Sequence, residues 1–193
     1  MKQTVFFCCA LLIFKSVFCQ NVFDHFNAER IRTTETAMMV LGSWGTVNII
    51  TGTVGVVSTG GEEKYFHQMN LIWGATNFLI AAPSYFGMKN RGMRLSLAET
   101  VRQQSASEKI YLFNAGLDLA YITAGAYCIQ KANNDSKHDL YKGYGKSLVM
   151  QGGGLLIFDV TMSLINISKG KKMYKILNGL QFSGNSVGLV LGL

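Results

Sequence analysis

The chain has 193 residues, of which 15% are charged and 49% are hydrophobic, and its formal net charge is +7. Soluble globular domains carry about 25% charged residues, so this composition excludes an ordinary soluble domain and predicts a multi-spanning membrane protein. The basic residues lie between the apolar stretches, where they suit anionic lipid headgroups. The sequence carries no nucleic-acid-binding motif, so nucleic acid is not expected as a partner.

Residues 1–19 are predicted to be a secretory signal peptide. Lys2 precedes an apolar run from Val5 to Phe14, and Lys15 interrupts that run before it reaches the length of about 20 residues that a spanning helix needs. Cleavage after Cys19 matches the usual small-residue pattern only loosely. An uncleaved amino-terminal anchor is the alternative.

Residues 20–35 are polar and mixed in charge. Phe23, Phe26 and Ile31 recur within them at spacings that suit an amphipathic helix. This segment is therefore predicted to be a short interfacial helix that leads into the membrane.

Four long apolar stretches follow, at residues 36–58, 68–88, 110–130 and 147–167. Each is long enough to cross a bilayer as a helix, and short connections make sequential helices antiparallel. The sequence thus predicts an all-α, integral membrane, up-down four-helix bundle over residues 36–170. The tail, residues 171–193, is basic and then apolar, and its last part suits an extended segment as well as a helix.

The orientation of this bundle is not settled by the sequence. A cleaved signal peptide places residues 20–35 outside, together with the segments 89–109 and 169–175. That side then carries 11 Lys and Arg residues against 5 on the other side, whereas the positive-inside rule expects the reverse.

The first two spans share a Trp-Gly-x-x-Asn pattern, which begins at Trp44 and again at Trp73 and ends at Asn48 and Asn77. The third and fourth spans carry Asp118 and Asp159 at corresponding positions. All four of these polar residues lie near the middle of their spans. Since antiparallel helices share a depth only at the middle, the sequence predicts one polar site near the bilayer midplane.

Further polar residues share helix faces with these four. At 100° per residue, a supporting stripe is predicted to point into the bundle, because amides and carboxyls exposed to lipid would be unsatisfied. Its members are Asn70, Asn114, Tyr121, Gln151 and Ser163.

No Lys, Arg or His lies within any span, so Asp118 and Asp159 lack a cationic partner at their depth. Two close carboxyl groups in a medium of low dielectric constant repel each other, so at least one should be protonated or the pair should hold a cation. A site for a proton, a cation or a small polar solute is one interpretation. Interhelical hydrogen bonding at about 0.6 kcal/mol per bond is the other.

Several chemistries are excluded or disfavoured. Three of the four cysteines lie in the predicted signal peptide, which leaves Cys128 without the partner that a thiol oxidoreductase needs. Three histidines are too few to suggest a haem or di-iron bundle, and the motifs of an intramembrane aspartyl protease are missing. We therefore expect no catalytic residues, no metal and no cofactor. His67, at the start of the second span, is predicted to be interfacial, with a pH-sensitive or substrate-contacting role as the alternative.

Four stretches carry a family resemblance: Leu41–Trp44, Tyr65–Asn70, Phe113–Asp118, and Gln151–Gly153 with Asp159. At these residues the chain resembles a family of small bacterial membrane proteins from Bacteroidetes-like organisms, whose domain has no known function. The resemblance covers about residues 22–170. It implies a multi-pass protein of the bacterial inner membrane that is made with a signal peptide, and it implies no activity.

The sequence therefore predicts a non-enzymatic membrane bundle whose midplane residues handle a proton, a cation or a small polar solute. The alternative is an accessory or scaffolding subunit of a membrane complex. The lipid bilayer is an expected partner in both cases, together with a second copy of the chain or a subunit of such a complex.

Overall fold

The computed structural model describes residues 2–89, 95–178, 180–183 and 186–189, and describes side chains over 23–88 and 95–178. It contains the helices α1 (Lys2–Ser58), α2 (Gly61–Lys89), α3 (Leu97–Ala132) and α4 (His138–Asn178). The strands β1 (Leu180–Ser183) and β2 (Ser186–Leu189) follow and pair antiparallel, with Leu180 opposite Leu189. The predicted four-helix, all-α architecture is confirmed, and the described residues of the tail form a short hairpin.

Helix α1 continues without a break through the predicted boundaries at residues 19/20 and 35/36. The interfacial helix is thus not a separate element, because nothing in residues 20–35 stops a helix: this segment holds no Gly or Pro. Phe23 and Phe26 are buried within the bundle. Signal-peptide cleavage stays a prediction, and the side chains of residues 1–22 lie outside the described ones.

The other helices also extend beyond the predicted spans, since their polar flanks are helical as well. Helix α3 begins 13 residues before the span predicted at 110, and the Ser96 side chain caps it by accepting a hydrogen bond from the Glu99 backbone N–H at 3.2 Å. Helix α2 begins directly after the short turn that follows α1, at Gly61. The φ of Gly61 is +54°, a conformation that favours glycine.

The helices pair as two antiparallel hairpins, α1 with α2 and α3 with α4, whose backbones touch at glycines. A Cβ atom on Gly45 would lie 2.8 Å from the carbonyl oxygen of Gly74, and one on Gly125 would lie 2.7 Å from that of Gly145. Gly45 and Gly74 occupy the same place in the repeated Trp-Gly-x-x-Asn pattern. The repeat therefore provides the close crossing of the first hairpin.

The two hairpins meet through different helices at the two ends of the bundle. Near the start of α2 and α4, Tyr144 donates a hydrogen bond to Gln68 at 3.1 Å and Ser147 donates one to Asn70 at 2.5 Å. At the opposite end, α1 and α3 meet where Asn27 donates to the Thr100 hydroxyl at 2.9 Å. Between these two regions the hairpins enclose a cavity.

Large apolar side chains cover the outside of the bundle. Val54, Leu79, Leu112 and Ile157 are each at least 59% exposed. Among the described residues, three helices are long and apolar enough to cross a membrane: α1 from Phe23, α3 and α4. Helix α2, predicted as the second span, has 29 residues and is not one of these three.

The glycine crossing makes a stability prediction. In Gly74→Ala the added Cβ would lie 2.7 Å from both the Gly45 oxygen and the Ile49 nitrogen, so the helices must move apart. We expect the free energy of unfolding to fall by about 1–3 kcal/mol, measured by circular dichroism during denaturant unfolding in detergent. The matched control is Gly153→Ala, because a Cβ there meets nothing within 4 Å, and we expect it to be neutral or stabilising. Equal stabilities of the two variants would contradict the close crossing.

Candidate functional site

A cavity of about 400 Å³ lies between the two hairpins, and all four helices line it. Three of the four predicted midplane residues reach it: Asn77 from α2, Asp118 from α3 and Asp159 from α4. Each of these side chains is buried, with 3–4% of its residue surface exposed. The structure thus brings the two acids and one amide of the predicted site together around one cavity.

The carboxyl groups of Asp118 and Asp159 line the cavity from the two helices of the second hairpin and interact electrostatically. The Asn114 side chain lines the same cavity. A hydrogen bond between two carboxyl groups needs one proton, because only a protonated carboxyl can donate. The pair can therefore hold a proton between its members, or exchange that proton for a cation in the cavity.

Three polar atoms at this cavity have no hydrogen-bond partner among the residues that the structure describes. They are Asp118 Oδ2, Asp159 Oδ1 and Asn77 Nδ2. A buried polar group without a partner costs about 1–3 kcal/mol, so a native cavity that keeps three of them is suited to a polar occupant. They comprise two acceptors and one donor, and an occupant can therefore satisfy all three.

Aromatic side chains form much of the remaining wall. Trp73 and Tyr121 pack edge to face with ring centroids 4.8 Å apart, and this pair joins α2 to α3. Tyr111 and Phe158 form a second edge-to-face pair at 6.2 Å, between α3 and α4. The cavity therefore combines two acids with an aromatic lining.

The fourth predicted midplane residue, Asn48, lies in a different layer. Its side chain accepts a hydrogen bond from Gln151 at 2.6 Å, and Gln151 precedes Asp159 by eight residues, which is about 12 Å along α4. The Gly45–Gly74 crossing sets the register of the first hairpin and places Asn48 at this level. The position of a residue within an apolar stretch does not reveal that register.

Gln151 is the centre of this second layer, which is a polar network. Its amide nitrogen donates to Asn48 and to Asn70, at 2.6 and 3.0 Å, and its oxygen accepts from Trp44 Nε1 at 2.9 Å. Ser147 donates to the same Asn70 oxygen. Gln151 is fully buried, so the network joins α1, α2 and α4 at one end of the cavity.

The supporting stripe is thus divided between the two layers. Asn70 and Gln151 belong to the network, whereas Asn114 and Tyr121 line the cavity. Ser163 is buried on α4, about one turn beyond Asp159. All five predicted members of the stripe face into the bundle or the cavity, and none is fully exposed.

A third polar layer lies at the opposite end of the cavity, and it was not predicted. Arg30 donates to Gln103 at 2.5 Å, and Gln104 donates to the backbone oxygen of Asn166 at 2.7 Å. Asn27, Thr100 and Gln104 are fully buried. The only signal in the sequence is the spacing of Asn27 and Arg30 on the face that also carries Phe23 and Phe26. This spacing predicts a polar layer only if α1 already packs in the bundle before residue 36.

His67 packs against α1 and not outward. A Cβ on Gly55 would overlap the His67 ring, and Phe66 contacts that ring with centroids 5.3 Å apart. The Nδ1 atom is buried without a hydrogen-bond partner among the described residues. The missing side chain at Gly55 therefore makes room for the imidazole at the crossing of α1 and α2.

An ion-pair cluster joins the starts of α2 and α4. Glu62 contacts Lys142 at 3.0 Å and also pairs with Lys146. Hydrogen bonds from Lys146 and Lys142 hold the pKa of Glu62 below its usual range. A carboxylate with a lowered pKa in the folded state stabilises the fold above its unfolded pKa, and that contribution is lost as the pH falls through the folded pKa.

The arrangement of acidic residues is poor for a metal. Among the described residues, no group of three or more His, Cys, Asp or Glu side chains is placed to hold a metal ion. Hard cations such as Ca²⁺ take six to eight oxygen ligands, and the cavity offers two carboxyl groups.

A family model described as a family of unknown function, DUF6992, matches residues 40–160. The chain therefore belongs to this family. The match includes the cavity residues Asn77, Asp118 and Asp159 and the whole Gln151 network. No curated protein and no solved structure matches the chain.

The network makes a second prediction. Gln151→Met keeps the volume of the side chain but removes the partner of Trp44 Nε1 and Asn48 Oδ1, so the free energy of unfolding should fall by about 1–3 kcal/mol. Gln130→Met is the matched control, because Gln130 is exposed, and its effect should stay within about 0.5 kcal/mol. Denaturant unfolding in detergent measures both. A Gln151→Met variant as stable as the control would show that the network does not hold the hairpins together.

Proposed function

We propose that the chain is an integral membrane protein whose interhelical cavity binds a proton, a cation or a small polar solute for transport or sensing. The apolar exterior supports the membrane location, because large apolar side chains exposed on all four helices are stable against lipid and costly in water. Helix α2 carries the amides of Asn70 and Asn77 on its buried face, so its outer face is apolar like those of the other helices.

The observation that carries this proposal is the set of unsatisfied polar atoms at Asn77, Asp118 and Asp159. Ionisable groups inside a membrane bundle are costly and tend to mark ion or solute pathways. In the Gln151 network the polar atoms of Gln151, Asn48 and Asn70 bond to one another across the helices, whereas Asn77 Nδ2, Asp118 Oδ2 and Asp159 Oδ1 have no partner among the described residues. The polar atoms of the Gln151 network are already hydrogen-bonded to one another, as in a structural contact. The unpartnered atoms at the cavity are available to bind a ligand, as in a binding site.

Transport is supported by the way in which the hairpins meet. Helices α1, α2 and α4 are joined at one end of the cavity by the Gln151 network, and α1 is joined to α3 at the other. A rocking motion of one rigid hairpin against the other would open the contact at one end while keeping the contact at the other. Alternating access by rocking of two bundles around a fixed central site is the general behaviour of secondary transporters.

An accessory or scaffolding role is the second candidate, and the outer face of α3 favours it. Gly116, Ala120 and Ala124 are exposed on that face, and a Cβ on Gly116 would meet nothing within 4 Å. Small residues on a spanning helix allow close packing with another helix. That helix could belong to a second copy of this chain or to a subunit of a complex.

We further propose that the membrane is the inner membrane of a bacterium and that residues 1–19 direct insertion as a signal peptide. The length and charge pattern of the amino terminus support the signal peptide. Membership of the family is compatible with the bacterial location that the resemblance implies.

The proposal is tested by infrared spectroscopy of the purified chain in lipid during a pH titration. A working site should show a protonated-carboxyl stretch that changes with pH or on addition of a cation, because Asp118 and Asp159 exchange their proton with the cavity. Asp118→Asn and Asp159→Asn should each reduce this response. Asp139→Asn is the matched control, since Asp139 is exposed at the start of α4, and should leave it intact.

A carboxyl band that persists unchanged into alkaline pH and ignores added cations would contradict the proposal. The two acids would then be structural hydrogen-bond donors, and the scaffolding role would become the better account.

A further inference from the structure

The charge of the cavity lining favours a cationic occupant. Asp118 and Asp159 both line it, and no Lys, Arg or His is among the described residues around it. The unpartnered carboxyl oxygens, Asp118 Oδ2 and Asp159 Oδ1, can only accept hydrogen bonds when ionised. An occupant that satisfies them must donate hydrogen bonds or carry positive charge.

The size of the cavity favours an organic molecule over a bare ion. A volume of about 400 Å³ falls within the range of about 300–1,000 Å³ for small-molecule pockets. Two carboxyl groups leave most ligand positions of a bare inorganic cation unfilled. The cavity therefore has more space than a bare metal ion would fill.

The aromatic walls favour an ammonium group in particular. The Trp73–Tyr121 pair and the Tyr111–Phe158 pair lie around the same space as the two acids. Aromatic rings attract organic cations through their negative faces, and aromatic cages bind quaternary ammonium ligands in this way. Met38 and Leu155 add apolar surface for the remainder of such a ligand.

We infer that the cavity is a binding site for an organic ammonium ion, in which Asp118 and Asp159 bind the charged nitrogen beside the rings of Trp73 and Tyr121. This inference rests on the proposed function, which it narrows from any polar solute to one chemical class. Asn77 Nδ2 is an unpartnered donor, so a hydrogen-bond acceptor elsewhere on the ligand would satisfy it.

A groove beside the cavity restricts the charge and polarity of the rest of the ligand. It is lined by Arg30, Lys109 and Phe113, and it shares Thr34, Met88 and Ile110 with the cavity. The two basic side chains would repel a second positive charge there, whereas Phe113 and Ile110 offer apolar contact. The ligand should therefore carry a single ammonium group, directed into the cavity, and an apolar body.

Calorimetric titration of the full chain in lipid nanodiscs with three probes of nearly equal shape tests the inference. Benzylamine is cationic at neutral pH, benzyl alcohol is its neutral counterpart and benzoate is anionic. Benzylamine should bind about tenfold or more tightly than benzyl alcohol, since charge-assisted hydrogen bonds contribute more than neutral ones, and benzoate should not bind.

Variants of the cavity residues test whether benzylamine binds in the cavity. Asp118→Asn combined with Asp159→Asn should weaken benzylamine binding by about tenfold or more. Tyr121→Leu should weaken it several-fold through the lost ring. Asp139→Asn, which changes an exposed acid, should leave it unchanged.

Benzylamine binding no tighter than that of benzyl alcohol in the unmodified chain would overturn the inference, and this comparison needs no variant. If the infrared carboxyl response to protons or inorganic cations persists in that case, the proposed function stands and only the ligand class fails. If that response is also missing, both fail.

Discussion

The backbone contact between paired helices determines the rest of this structure. Gly45 against Gly74 and Gly125 against Gly145 allow the helices of each hairpin to touch without intervening side chains. Packing contacts of this kind can join helices in lipid, where burial of apolar surface between helices provides no driving force. Two close hairpins result, and the space between them is left for polar groups.

The polar groups between the hairpins are of two kinds, those that hydrogen-bond to one another and those that have no partner. At the Gln151 end they satisfy one another, because Gln151 bonds to residues of α1 and α2. At the opposite end Asn27 of α1 donates to Thr100 of α3, while Asn27 Oδ1 and Gln104 Oε1 have no partner among the described residues. In the middle they surround a cavity and leave atoms of Asn77, Asp118 and Asp159 without partners. The self-satisfied Gln151 network stabilises the bundle, whereas the unpartnered atoms at the cavity need a proton, a water molecule or a ligand. The proposed binding function follows from this contrast between the Gln151 network and the cavity.

The sequence was sufficient to predict the four helices and the inward direction of the polar side chains, because apolar stretches of this length and helical spacing are local properties. It also predicted that Asp118 and Asp159 lie at the same level, since both are near the middle of antiparallel spans. It did not place Asn48, whose level depends on where the glycines of two helices cross. It also missed the layer of Asn27, Thr100 and Gln104, because that layer requires α1 to continue from residue 20 into the bundle. Contacts between distant segments depend on register and rotation, which no local pattern encodes.

The central claim is that the hairpins separate around Asp118 and Asp159 while they stay joined at Gln151. The most direct test is the rate at which a small cationic methanethiosulfonate modifies cysteines in lipid vesicles, in a background with the four native cysteines replaced by serine. Ser84 lines the cavity and Ser147 is fully buried in the Gln151 network, so the two serines form a matched pair. The account predicts that Ser84→Cys reacts several times faster than Ser147→Cys. Equal rates, or faster reaction at Ser147→Cys, would contradict it.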